Sequence, residues 1–207
     1  MARFCFYVDG FNVYYSIQQF ALRYKTPKYK WLNYQDLAKS SIGNKDTIEA
    51  IYYFSSYLSW KPQSVARHKT YIKALRSVGV EYIQGRFKEK TLKCHHCHKR
   101  YKSHEEKQTD VNIAVKIVAD ASVDKFDKAV IVSADTDLIP AIKTVHDIWP
   151  DKEVGVMFPV ASHSFELKQV ADFTWKMKPK RLISCQFPPK IKAGNSVIEC
   201  PVEWQKT

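Results

Sequence analysis

The sequence predicts an α/β fold with a mostly parallel sheet covered on both faces. Three observations predict it. Short, β-branched apolar runs such as Ala129-Val130-Ile131-Val132 are too short for helices and read as strands buried on both sides. Segments with helical apolar spacing alternate with them, the pattern of βαβ units. Acids stand where strands end and helices begin, the edge at which open α/β sheets bind ligands.

The elements follow in order. Phe4-Cys5-Phe6-Tyr7-Val8 reads as a first strand, ended by Asp9 and turned by Gly10. Asn12 opens an amphipathic helix through Ile17 and Phe20 to about Tyr24. A basic loop follows, then a short helix from Tyr34 to Lys39. Ile48 to Tyr57 reads as a second strand and Gln63 to Val78 as a helix with Arg67, Lys69, Lys73 and Arg76 outward. Gly79 stops it, and Val80 to Gln84 is a third strand. Residues 85–107 are nearly free of apolar side chains and rich in Lys, Arg, Cys and His, so they read as an insertion with its own small structure. Thr109 caps a well-buried helix from Asp110, with Val111, Ala114, Val115, Val118 and Ala121 as its stripe, broadened by Ile113 and Ile117. The strand at Ala129, a helix from Leu138 to about Ile148 and a strand from Glu153 to Phe158 come next. A helix starting at Ser162 and a short strand from Phe173 to Met177 complete the domain, residues 1–177. Residues 178–207 are basic and proline-bearing and read as a tail, with Val197, Ile198 and Trp204 packing it back.

Composition bounds the function. With 45% hydrophobic and 26% charged residues the chain is an ordinary globular one, with no apolar run of membrane-spanning length. A formal charge of +12 points to a polyanionic partner, nucleic acid first. Five cysteines, an odd count with one tight pair and no secretion signal, favour a reducing cytoplasm over a disulfide framework. The six glycines form no dinucleotide fingerprint.

Asp9, Asn12, Asp110, Asp135 and Asp137 each lie at a strand-to-helix junction or a helix N-terminus. One acid there is commonly a helix cap. Four at equivalent junctions form a hard, oxygen-rich set suited to Mg²⁺ or Mn²⁺, and a basic chain with an acidic site is what a metal-dependent nuclease needs.

FYVDGFN at the start, EKQTDVNIAV in the middle and VIVSADTDLIPAI after it resemble the NYN domain family in its LabA-like branch, which is similar in fold to the PIN and FLAP nucleases. The match runs in order over most of residues 3–176. The resemblance implies a three-layer α/β/α sandwich and a metal-dependent ribonuclease. It implies Asp9, Asp110, Asp135 and Asp137 as the acids, Asn12 as the polar partner of the first and Lys107 as the lysine preceding the middle one. Where many members carry Gly-Asp, this chain has Ala134-Asp135, and Ala keeps the backbone nearly as small.

Within the insertion, Cys94 and Cys97 have the spacing of two tetrahedral Zn²⁺ ligands. His104 is the third ligand by distance, since it leaves a loop able to close. The fourth stays open among His98, His95, Cys185, Cys200 and a second chain. A redox dithiol and a solvated basic loop are the alternatives. Lys99, Arg100 and Lys102 are offered to a phosphate backbone. Phe87, among Arg86, Lys88, Lys90 and Lys93, is expected to pack inward rather than stack on bases.

The reading is therefore an endoribonuclease with Mg or Mn, a structural Zn, and RNA, single-stranded for preference, as partner. A homodimer is compatible with it. A non-catalytic RNA-binding or regulatory module of the same fold is the rival, and a phosphatase or DNA-directed 5′-nuclease a second.

Overall fold

The computed structural model describes residues 1–25, 29–93, 95–194 and 196–205, without the side chain of Glu106. Strand β1 (Arg3–Asp9) runs into helix α1 (Gly10–Tyr24), then α2 (Tyr34–Lys39) and β2 (Thr47–Ser55). Helix α3 (Pro62–Ser77) and β3 (Glu81–Gln84) follow. Strands β4 (Arg86–Lys93) and β5 (Arg100–Lys107) form an antiparallel hairpin. Helix α4 (Thr109–Ser122) leads to β6 (Lys128–Val132). A 3₁₀ turn (Thr136–Leu138) precedes α5 (Ile139–Ile148), β7 (Glu153–Phe158), α6 (Phe165–Val170) and β8 (Thr174–Lys176).

The central sheet has six strands in the order β3-β2-β1-β6-β7-β8, and every neighbouring pair is parallel. From β1 the chain winds one way through β2 and β3. From β6 it winds the other way through β7 and β8. The strand order therefore reverses between β1 and β6, which makes that crevice the switch point of the sheet.

Alternation along the strands assigns the two faces. Phe4, Phe6 and Val8 of β1 and Val130 and Val132 of β6 pack with Val13, Ile17, Leu37 and Leu75 of α1 to α3. Cys5 and Tyr7, with Ala129 and Ile131, pack with Ile113, Ile117, Ile142 and Leu167 of α4 to α6. Each face buries a core of its own, so the fold is the α/β/α sandwich expected.

Three expectations are corrected. Helix α4 buries Thr109, Ile113, Ile117, Asp120 and Ala121, while Val111 and Val115 are 63% and 62% exposed. The sheet selects the stripe through the two isoleucines, and the valine stripe faces solvent. The buried Asp120 accepts from Tyr7 Oη at 2.8 Å and Lys116 Nζ at 2.7 Å. Burying a carboxylate is tolerable only with such partners. The helix expected from Ser162 begins at Phe165, because the Ser164 hydroxyl caps it by accepting from Leu167 N at 3.2 Å. The helix expected from Leu138 starts one residue later, behind the 3₁₀ turn.

The last segment is structured. Helix α7 (Pro179–Ser184) and a hairpin of β9 (Lys190–Ala193) and β10 (Ser196–Glu199) follow the sheet. Trp204 packs its ring 6.3 Å from that of Trp31 and 5.7 Å from that of Tyr71. Among the described residues, no helix is long and apolar enough to cross a membrane.

Candidate metal centre at the switch point

Asp9 is the last residue of β1. Two-residue periodicity puts it on the same face as Cys5 and Tyr7, toward α4. Its carboxylate is 4% exposed and accepts two hydrogen bonds, from Asn12 N at 3.0 Å and from Ser133 Oγ at 2.9 Å. The first bond makes Asp9 the N-cap of α1. The second ties the exit of β1 to the exit of β6. Asn12 repeats the tie, its Oδ1 accepting from Ala134 N at 3.1 Å.

The exit of β6 is built around Ser133 and Asp135. Ser133 Oγ donates to Asp9 and accepts from Asp135 N at 3.1 Å. Asp135 then caps the 3₁₀ turn, its Oδ1 accepting from Asp137 N at 3.0 Å. Asp110 arrives from the other side, in the first turn of α4. Gln108 lets β5 turn into that helix through a left-handed backbone, at φ 78°.

One carboxylate oxygen each from Asp9, Asp110 and Asp135 lies within 4.8 Å of the others. Burial pushes the Asp9 carboxyl up to about 6, against its two hydrogen bonds and with help from the charges of Asp110 and Asp135. Asp110 is raised by burial first, then by Asp135 and Asp137. Three acids thus share a volume in which their negative charges cost free energy. A divalent cation would relieve that cost, and three hard oxygen ligands suit Mg²⁺ or Mn²⁺. The residues present fit the ion.

Asp137 lies at the rim, exposed, and is not within the tight group. Lys107 is turned to Glu105, with Nζ 2.5 Å from Oε1. Lys99, Arg100 and Lys102 are exposed on the β4–β5 hairpin, and Lys102 Nζ is 3.0 Å from Glu89. Phe87 was expected in the core; it is half-buried outside both cores, edge-on to Phe11 and Trp60.

The Cys/His expectation divides. Cys94 lies outside the described residues. Cys97 is exposed in the turn beyond the last hairpin pair, Lys93–Arg100. His104 is paired in register with Glu89, four residues along β5 from Arg100. At roughly 3.3 Å per residue that is about 13 Å from the turn. Its ring stacks on Trp60 with centroids 3.5 Å apart. The structure therefore does not bring His104 to Cys97, because strand pairing extends the segment that was expected to fold back.

Ser133 is the site residue that sequence reasoning passed over. The signal was available: Ala129, Ile131 and Ser133 share a face, and Asp9 stands on the same face of the neighbouring strand.

The fold and the site define an α/β/α protein of the PIN-like kind with a carboxylate cluster at its switch point. The sequence profile of the NYN domain matches residues 3–177, and the chain belongs to that family of nucleic-acid-acting, PIN-like nucleases. Among curated proteins it is similar to 6-hydroxy-3-succinoylpyridine 3-monooxygenase HspA of Pseudomonas putida, 28% identical over 96% of this chain and 74% of the relative. Among solved structures it is similar to VPA0982 of Vibrio parahaemolyticus, a protein of unknown function. That match has a TM-score of 0.60 and 18% identity, and covers 86% of this chain and 94% of that one.

Proposed function

We propose that the chain is a metal-dependent endoribonuclease of the LabA-like branch, acting on single-stranded RNA. The observation that carries this reading is the gathering of Asp9, Asp110 and Asp135 at the β1/β6 switch point. When bound, Mg²⁺ or Mn²⁺ supplies Lewis acidity at phosphodiester oxygens. Asp9, Asp110 and Asp135 are the residues to hold it, with Asp137 at the rim. The carbonyl of Asn12 is committed to Ala134, so its NH₂ is the part offered to a phosphate oxygen. Lys99, Arg100 and Lys102 give the hairpin positive charge for the RNA backbone.

Oxygen-activating non-haem iron sites commonly use two imidazoles and one carboxylate. The cluster here is wholly carboxylate, which favours phosphoryl chemistry over the oxygenase activity named for the Pseudomonas relative. A structural zinc at Cys94 and Cys97 remains part of the proposal. Close to one equivalent of zinc, lost in Cys94→Ser, supports it, and a metal-free Cys94–Cys97 disulfide refutes it.

The nuclease test is digestion of end-labelled single-stranded RNA and DNA with Mn²⁺ or Mg²⁺ and with EDTA. The expected result is internal RNA cleavage that needs the ion and is lost in Asp135→Asn. Tight RNA binding without cleavage in any divalent ion would favour the non-catalytic module.

A further inference from the structure

Asp9 faces α4. The other side of the same strand exit opens differently. Between the ends of β1 and β2, on the side of α1 and α3, lies a solvent-open cleft of about 100 Å³. We propose that it is a nucleobase subsite, taking one unstacked base of the RNA with its phosphate toward Lys30.

The walls call for a flat ligand. Tyr53 and Tyr71 form a buried part of the lining, Phe11, Tyr14 and Tyr15 come from α1, and Trp204 comes from the C-terminal turn. Aromatic rings accept every base on its π-face. The phenol and indole tips keep such a wall wettable.

The charge calls for an anion. Lys30 lines the cleft and is 8% exposed. Its Nζ donates to Tyr14 Oη at 2.8 Å and sits 4.1 Å from the Tyr14 ring centroid. Among the described residues no carboxylate lies within ion-pair distance of it. A buried ammonium is ordinarily matched by negative charge. A ring nitrogen is also left over. His68 lines the same cleft, and its Nε2 is buried without a hydrogen-bond partner. Flatness, negative charge and a need for a polar edge group together describe a nucleotide better than an aliphatic or purely aromatic ligand.

Position links the cleft to the acids. Gly10 lines the cleft and directly follows Asp9. A β-carbon there would stand 2.6 Å from the Tyr53 ring, so only glycine leaves the two sites this close. A strand crossing the acids could drop one base over α1 into the cleft. The assignment rests on the ribonuclease reading for what the base belongs to, but binding of a mononucleotide needs no acid and no metal.

The experiment uses the full chain in EDTA, titrated with each of the four ribonucleoside 5′-monophosphates, and with inorganic phosphate and pyridine-3-carboxylate in parallel. Tryptophan fluorescence and calorimetry read the binding. At least one nucleotide should bind about tenfold more tightly than either control. Lys30→Met, Tyr14→Leu and the more exposed Tyr15→Ala should each weaken it, the tyrosines by roughly tenfold, the usual loss of a stacking face. Tyr15→Ala leaves the buried wall intact, so a folding failure of the other two does not remove the test. Asp135→Asn should bind unchanged. Nucleotides no tighter than phosphate, pyridine-3-carboxylate bound tightest, or affinities indifferent to all three variants overturn the assignment. Nucleotide binding without RNA cleavage sinks the nuclease reading and leaves the cleft standing. Cleavage without nucleotide binding does the reverse.

Discussion

Replacing Asp9 by Asn should stabilise the metal-free protein while abolishing the proposed ribonuclease activity. The folded-state carboxyl titrates at about 6 against an ordinary value of 3.8. At about 1.4 kcal/mol per unit, ionised Asp9 costs roughly 3 kcal/mol above pH 6. Asn carries no charge and caps a helix as well as Asp does, so the bond from Asn12 N survives. The bond from Ser133 is compromised, because the amide must offer either its NH₂ or a carbonyl already in use. That loss is about 1 kcal/mol. The net gain is roughly 1–2 kcal/mol, or a few degrees in melting temperature for a chain of this size. The sign follows from linkage. A raised folded-state value makes the protonated form favourable to folding, so the stability contributed by Asp9 is present below pH 3.8 and is lost as pH rises through 6. The advantage of Asn should therefore be largest in EDTA at pH 8 and vanish toward pH 4. Thermal melts across that range, with and without Mn²⁺, measure it. Mn²⁺ should raise the melting temperature of the parent and barely move the variant. A variant that melts lower than the parent at pH 8 in EDTA, with the same pH profile, would show that Asp9 is a structural cap.

Other outcomes follow from single contacts. Gly10→Ala places a β-carbon 2.6 Å from the Tyr53 ring and 2.7 Å from the Phe54 carbonyl oxygen, so denaturant titration should show a loss of about 1–3 kcal/mol. Tyr7→Phe removes one of the donors to the buried Asp120 carboxylate and should cost about 1–3 kcal/mol, with Lys116→Met adding to it less than independently. RNA affinity should fall steeply with salt, and Ala at Lys99, Arg100 and Lys102 together should flatten that slope by up to about three phosphate contacts. An unchanged slope places the RNA elsewhere, for example along Arg67 and Lys73 of α3.

The parts of the fold that a two-residue or helical period specifies were legible in the chain. Glu153–Phe158 and Tyr34–Lys39 have the ends that composition suggests, and Asp9 and Asp135 stand at or just past strand exits because the apolar runs stop there. What was hidden depends on partners distant in sequence. Helix α4 offers two apolar stripes, and only the sheet decides that Ile113 and Ile117 go inward while Val111 and Val115 do not. The β4–β5 hairpin is polar on both faces, so alternation is silent and its pairing shows only in the structure. His104 looked like a ligand by spacing and is held instead by Trp60, a residue from the loop before α3. Nothing in the sequence singles out Lys30 or His68. Their interest comes from the cleft, which five separated segments build.

The bond between Ser133 and Asp9 joins residues 124 positions apart. In kinetic terms that separation sets when the acids can meet. β1 can find β2 early, by a local parallel crossover, but its other neighbour lies beyond the hairpin and α4. Contacts of such long sequence separation raise the contact order of the fold, which slows folding. During synthesis the first-made strand waits with its acid end unpaired until most of the chain has emerged. A partly made chain therefore carries Asp9 without the residues that give it company.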